Sequence, residues 1–88
     1  MTGKGKAGRP IARLRERARQ GDAAAQFELG GLYKLGQGVP QNRVLALGWF
    51  LRAAQEGDSD ARIQVMLLRG ELRPDQVAWA EGWADSRK

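Results

Sequence analysis

The chain has 88 residues, 42% apolar and 28% charged, with a net charge of +5; that length allows one domain and that composition is ordinary for a globular chain. No uninterrupted apolar run exceeds four residues, Val65–Leu68 being one, so the sequence offers neither a membrane span nor the apolar stretch of a secretory signal. The absence of Cys and His removes disulfides, thiolate metal sites, the commonest metal ligand and the commonest general base, so neither a metal nor a cofactor is expected.

The elements follow in chain order, separated by glycine and proline. Residues 1–8 hold three glycines, two lysines and almost nothing apolar, which predicts a disordered basic tail. Pro10 suits the first turn of a helix. Ile11, Leu14 and Ala18 then make one apolar stripe, and Gly21 ends it. Asp22 is a good N-cap for a second helix over residues 22–35, with Ala25, Leu29, Leu32 and Leu35 on one face. Two central glycines, Gly30 and Gly31, weaken that helix and imply a neighbour in close approach. Gly36, Gly38 and Pro40 break the chain. A third helix is predicted over residues 41–56, and Gly57 ends it. Asp58 caps a fourth over 59–69, Gly70 and Pro74 turn the chain, and a fifth covers 75–86. No alternation of period two persists long enough for a strand.

Charge is concentrated at one end. Residues 1–19 carry seven basic groups against Glu16 alone, whereas the remainder nets −1. Arg9, Arg13 and Arg17 recur every four residues and share a helix face, with Arg15 and Arg19 in a second line beside the apolar stripe. Together with Lys4 and Lys6 this row could track a phosphate backbone, weakly and with steep salt dependence. It lacks the interleaved aromatics that stack on bases.

The chain also repeats itself. Gly21-Asp22-Ala23-Ala24-Ala25 reappears as Gly57-Asp58-Ser59-Asp60-Ala61 at an offset of 36, with Phe27, Leu29 and Leu32 falling on Ile63, Val65 and Leu68. Ala46-Leu47-Gly48-Trp49 reappears as Ala80-Glu81-Gly82-Trp83 at an offset of 34. Gly36 and Pro40 match Gly70 and Pro74 at that same shorter offset, which predicts a fourth helix two residues shorter than the second. A two-helix period of this length is the mark of an α-solenoid.

Residues 21–40, from Gly21-Asp22 through Leu29-Gly30 and Tyr33 to Gly36-Gln37-Gly38-Val39-Pro40, continue to Ala46, Trp49, Phe50, Ala53, Ala54 and Gly57. This combination resembles the Sel-1-like repeat. One near-complete repeat covers 22–57. A degenerate copy covers 58–86, where Leu-Gly has become Val65-Met66 and Tyr has become Arg69. Residues 9–21 match only the end of a second helix and read as a capping helix. The resemblance implies an all-α fold, a short right-handed α-solenoid of five antiparallel helices related to tetratricopeptide arrays. It implies a protein-interaction scaffold common in bacteria, with no shared catalytic residues.

The terminal helices carry their own signal. The third helix has two apolar faces, Leu47, Phe50, Leu51 and Ala54 on one and Ala46, Trp49 and Ala53 on the other, as a helix sandwiched between neighbours requires. The first helix puts Arg13 and Arg17 where the third has Trp49 and Ala53; the fifth puts Glu81 and Asp85 where the third has Leu47 and Leu51. Polar outer sides are what the ends of a solenoid need, so residues 9–86 are expected to be one mini-solenoid, self-capped at both ends.

The function expected is therefore a non-enzymatic protein-interaction module in the cytoplasm, an adaptor or an inhibitor docked on a larger protein. First helices line the concave surface of such arrays, which makes Gln26, Tyr33, Lys34, Arg62 and Arg69 the partner-binding candidates. The two arginines suit a partner with an acidic patch. Trp79 either closes the bottom of the core or stands exposed as an anchor for a partner or a second copy. The alternative is an accessory nucleic-acid binder using Lys4, Lys6, Arg9, Arg13 and Arg17. The carboxylates lie near helix starts, where capping explains them.

Overall fold

The structure is a computed structural model that describes the backbone of residues 3–86 and the side chains of residues 11–86. Its regular elements are the helices α1 (Gly3–Arg19), α2 (Ala23–Leu35), α3 (Arg43–Gln55), α4 (Ser59–Glu71) and α5 (Pro74–Asp85), and there is no strand among the described residues. The boundaries of α2 to α5 fall within two residues of those predicted. Asp22 and Asp58 cap as expected, their carboxylates accepting from the Ala25 and Ala61 amides at 3.2 and 3.0 Å. Gly36 closes α2 in the left-handed conformation, φ 73°, with its N–H on the Leu32 carbonyl.

Two local expectations change. α1 begins at Gly3, so the predicted tail is helical from its third residue. Lys4, Lys6 and Ala7 are good helix formers, but the three glycines and the interior Pro10 oppose a helix there, so residue preference does not account for this turn of the chain. Met1, Thr2 and the side chains of Lys4, Lys6 and Arg9 lie outside the described residues. Also, α4 is no shorter than α2: both have 13 residues, because α4 runs on through Gly70. The missing residues come out of the connection instead. Seven residues separate α2 from α3, but only Leu72 and Arg73 separate α4 from α5.

The two apolar faces of α3 make it the hub. α2, α4 and α5 all pack on α3, and α1 packs on α2. Leu47, Phe50, Val65, Leu68 and Ala80 build one buried cluster; Leu14, Ala18, Ala25, Leu29 and Trp49 build the other. The stack is elongated, 44 Å by 23 by 22 Å.

The second copy departs from the first in its packing. α2 lies tightly on α3, whereas the backbones of α4 and α5 stand further apart and meet through side chains such as Arg69 and Glu81. In the first copy Phe50 presses on Gly30, where a Cβ would lie 2.8 Å from its ring, and meets Phe27 edge to face at 5.4 Å. In the second copy Gly30 has become Met66, Phe27 has become Ile63 and Phe50 has become Ala84. Both the recess and the ring that fills it are gone. α5 therefore buries Ala80 and Ala84 and settles on α3. The α4 face left over carries Ile63, Met66 and Leu67 in the open, Met66 being 71% exposed. At this end of the stack the polar residues of α5 face its neighbours, Glu81 pairing with Arg69 at 2.6 Å and Asp85 accepting from Gln55 at 3.2 Å.

Candidate functional site

α1 and α3 both flank α2 but leave an open cleft of about 580 Å³ between them. α1 contributes Arg15 and Arg19, one turn apart. α3 contributes Leu45, Trp49 and Arg52, α2 contributes Tyr33, and Trp83 of α5 completes the wall. The cleft exists because none of the described side chains of α1 reproduces the way α5 packs on α3. Trp83 covers Gly48 of α3. Thirty-six residues earlier α1 has Ala12, which stays exposed.

The cations of the cleft differ in role. Arg52 is 8% exposed and structural: it donates to the carbonyls of Ala84 and Trp83 at 3.4 and 3.2 Å and stacks 4.0 Å from the Trp83 ring centroid. Trp83 meets Trp49 edge to face at 5.0 Å, so the guanidinium fixes an aromatic wall. Arg15 is half-buried and donates to the Tyr33 hydroxyl at 3.2 Å, which sets its direction along the cleft. Arg19 is exposed and pairs with Glu16 at 3.5 Å across one turn. Such an exposed pair is weak, worth at most about 1 kcal/mol, and yields readily to a better anion.

The arrangement suits an extended acidic segment with an apolar or aromatic side chain. Two guanidiniums on one wall offer planar donor forks to carboxylates. The indoles, Tyr33 and Leu45 offer an apolar wall opposite. Among the described residues no group of acidic side chains is placed to hold a metal ion, and no helix is long and apolar enough to cross a membrane.

The structure separates the residues singled out from sequence. Tyr33 lies in the cleft. Gln26 does not reach any concave surface: it is 1% exposed, and its Nε2 donates to the Ala18 carbonyl at 2.9 Å. Lys34 reaches from α2 to Gln64 of α4 at 2.9 Å. Arg62 is exposed on α4, and Arg69, two turns on, is held by Glu81. Trp79 is 53% exposed, so it does not close the core. Arg13 and Arg17 are both exposed on α1, and Arg17 pairs with Asp22 at 3.2 Å. The cleft residues Arg15, Arg19, Leu45, Trp49, Arg52 and Trp83 were not grouped by sequence reasoning. The available signal was the second arginine line on the first helix together with the Trp49 to Arg52 spacing.

Residues 23–58, which span α2, α3 and the cap of α4, match the Sel1 repeat family. No significant match was found among curated proteins or among solved structures.

Proposed function

We propose that the chain is a docking module that takes an acidic segment of a larger protein into the cleft between α1 and α3; residues 23–58 match the Sel1 repeat family, whose repeats generally mediate protein–protein interaction. It acts as an adaptor or an inhibitor through that contact. The observation that carries this reading is the convergence of Arg15 and Arg19 with Tyr33, Trp49 and Trp83 in one open cleft. A partner carboxylate displaces the weak Glu16 pair of Arg19, and an apolar residue beside it meets the indole wall.

A second reading rests on α1 alone. Arg13 and Arg17 stand exposed on the same helix face, beside a groove of about 400 Å³ shared with α2. Such a row supports non-specific contact with nucleic acid.

One experiment separates the two. The tagged chain is used to capture partners from nuclease-treated native-host lysate, in parallel with the Arg15→Glu/Arg19→Glu and Arg13→Glu/Arg17→Glu variants, each checked for helicity. A stoichiometric protein that survives nuclease and is lost only with Arg15 and Arg19 supports the cleft. Recovery that disappears with nuclease, or depends on Arg13 and Arg17 instead, overturns it.

A further inference from the structure

The two walls of the cleft between α1 and α3 repeat at one pitch. Arg15 and Arg19 stand four residues apart on α1, and Leu45 and Trp49 stand four residues apart on α3. Four residues of helix rise about 6 Å. An extended chain returns a side chain to the same face every second residue, about 6.6 Å on, and turns the intervening ones to the opposite face. The charge on the α1 wall also lacks a counterpart. The cleft is lined by three arginines and by no acidic side chain. Arg15 donates to the neutral Tyr33 hydroxyl and, among the described residues, makes no ion pair. Tyr33, accepting from Arg15, keeps its own proton to donate. Arg19 has Glu16 beside it at 3.5 Å, outside the lining.

Building on the docking role proposed for this cleft, we infer that the segment it takes is extended and alternates in sequence, acid, apolar, acid, apolar. Two carboxylates on one face of that segment meet Arg15 and Arg19, and the side chains on its other face meet Leu45 and Trp49. Four extended residues, about 13 Å long, reach all four positions. A helix about 10 Å across fills about 420 Å³ per turn, so a cleft of about 580 Å³ takes little more than one turn of it. One turn brings no second pair of residues to each wall. The order of residues matters as much as their composition. A run of consecutive acids turns every second carboxylate toward the apolar wall, where it is desolvated without a cation. A run of consecutive apolar residues leaves Arg15 and Arg19 facing hydrocarbon. Only alternation satisfies both walls at once.

The test is fluorescence anisotropy of labelled, end-capped peptides titrated with the full chain. One peptide alternates aspartate and leucine. A second has the same composition with its aspartates in one block and its leucines in another. A third is a helix-forming peptide with aspartates one turn apart. The alternating peptide should bind at least about tenfold more tightly than either of the others, the scale of one charge-assisted hydrogen bond. Arg15→Gln/Arg19→Gln, with unchanged circular dichroism, should weaken the alternating peptide and abolish the preference. Equal binding of the alternating and block peptides, or tighter binding of the helical one, overturns the alternating order. If that binding still requires Arg15 and Arg19, the cleft remains the docking site and only its sequence preference is wrong. Binding of no peptide up to about 1 mM, the weak end of measurable affinity, or binding untouched by the double variant, overturns the docking role of the cleft and the alternating order with it.

Discussion

The Trp83 ring presses its Cε3–Cζ3 edge against Gly48, so close that even a methyl group at Gly48 would fall 2.5 Å from Cε3. Arg52 stacks on the indole at 4.0 Å and Trp49 abuts it at 5.0 Å, so a shift of the ring disturbs both contacts. Gly48→Ala should therefore destabilise the fold by about 1–3 kcal/mol through overpacking, despite the better helix propensity of alanine. Gly82→Ala, at the same place in the second copy, has only the propensity gain and should stabilise by up to about 1 kcal/mol. Urea unfolding of the two variants at low concentration reads the contrast. Equal effects would mean that the ring does not pin α5 to α3.

The paired glycines of α2 divide in the same way. A Cβ on Gly30 would lie 2.8 Å from the Phe50 ring, which is buried and braced by Phe27, whereas Gly31 has nothing within 4 Å. Gly30→Ala should lower the unfolding midpoint and weaken the packing of α2 on α3. Gly31→Ala should raise it, by up to about 1 kcal/mol of helix propensity. Thermal melts of both variants followed by circular dichroism give the signs directly.

Much of this fold is legible in the sequence because glycine, proline and capping aspartates punctuate it. The Asp22 and Asp58 caps, the close approach at Gly30 and the two buried faces of α3 all follow from residue type and spacing. The move of α5 from α4 to α3 does not. It depends on three substitutions acting together: Gly30 to Met66, Phe27 to Ile63 and Phe50 to Ala84. Each is visible alone, but none by itself says on which helix α5 packs. The site was less legible for a related reason. Arg15 and Arg19 look like a solvated face until α3 is seen to stand off from α1. Gln26 looks like a surface glutamine until its Nε2 is seen on the Ala18 carbonyl. Distances between elements, rather than preferences within them, decide these cases.

Among the described residues Arg52 is the one charged side chain built into the core, at 8% exposure. It ties α3 to α5 through two backbone carbonyls and an indole face. Removing it takes a donor from the Ala84 carbonyl, while the Trp83 carbonyl still accepts from the Ser86 amide and hydroxyl, and it leaves the two indoles without their brace. Arg52→Ala should cost about 3 kcal/mol, the scale of a hydrogen-bonded cation plus a desolvated cation–π contact. Lysine keeps the charge but not the planar fork, so Arg52→Lys should recover only part of that loss. Chemical unfolding gives the stability, and a red shift of tryptophan emission reports the opening of the wall. Full recovery with lysine would show that charge alone holds α5.

In the folded chain the Asp22 carboxylate accepts from the Ala25 amide and from the Arg17 guanidinium, and these contacts hold it below the usual 3.8 of an aspartate. Unfolding releases both contacts and returns the group to its ordinary value. The stabilisation is therefore complete above that ordinary value and is lost as pH falls through the lower, folded one. Asp22→Asn keeps an acceptor for the Ala25 amide but has no charge to titrate. Its stability should fall less steeply than that of the wild type below about pH 4. Urea midpoints measured from pH 6 down to pH 2 compare the two curves. Parallel curves would show that the Asp22 charge plays no part in holding α1 to α2.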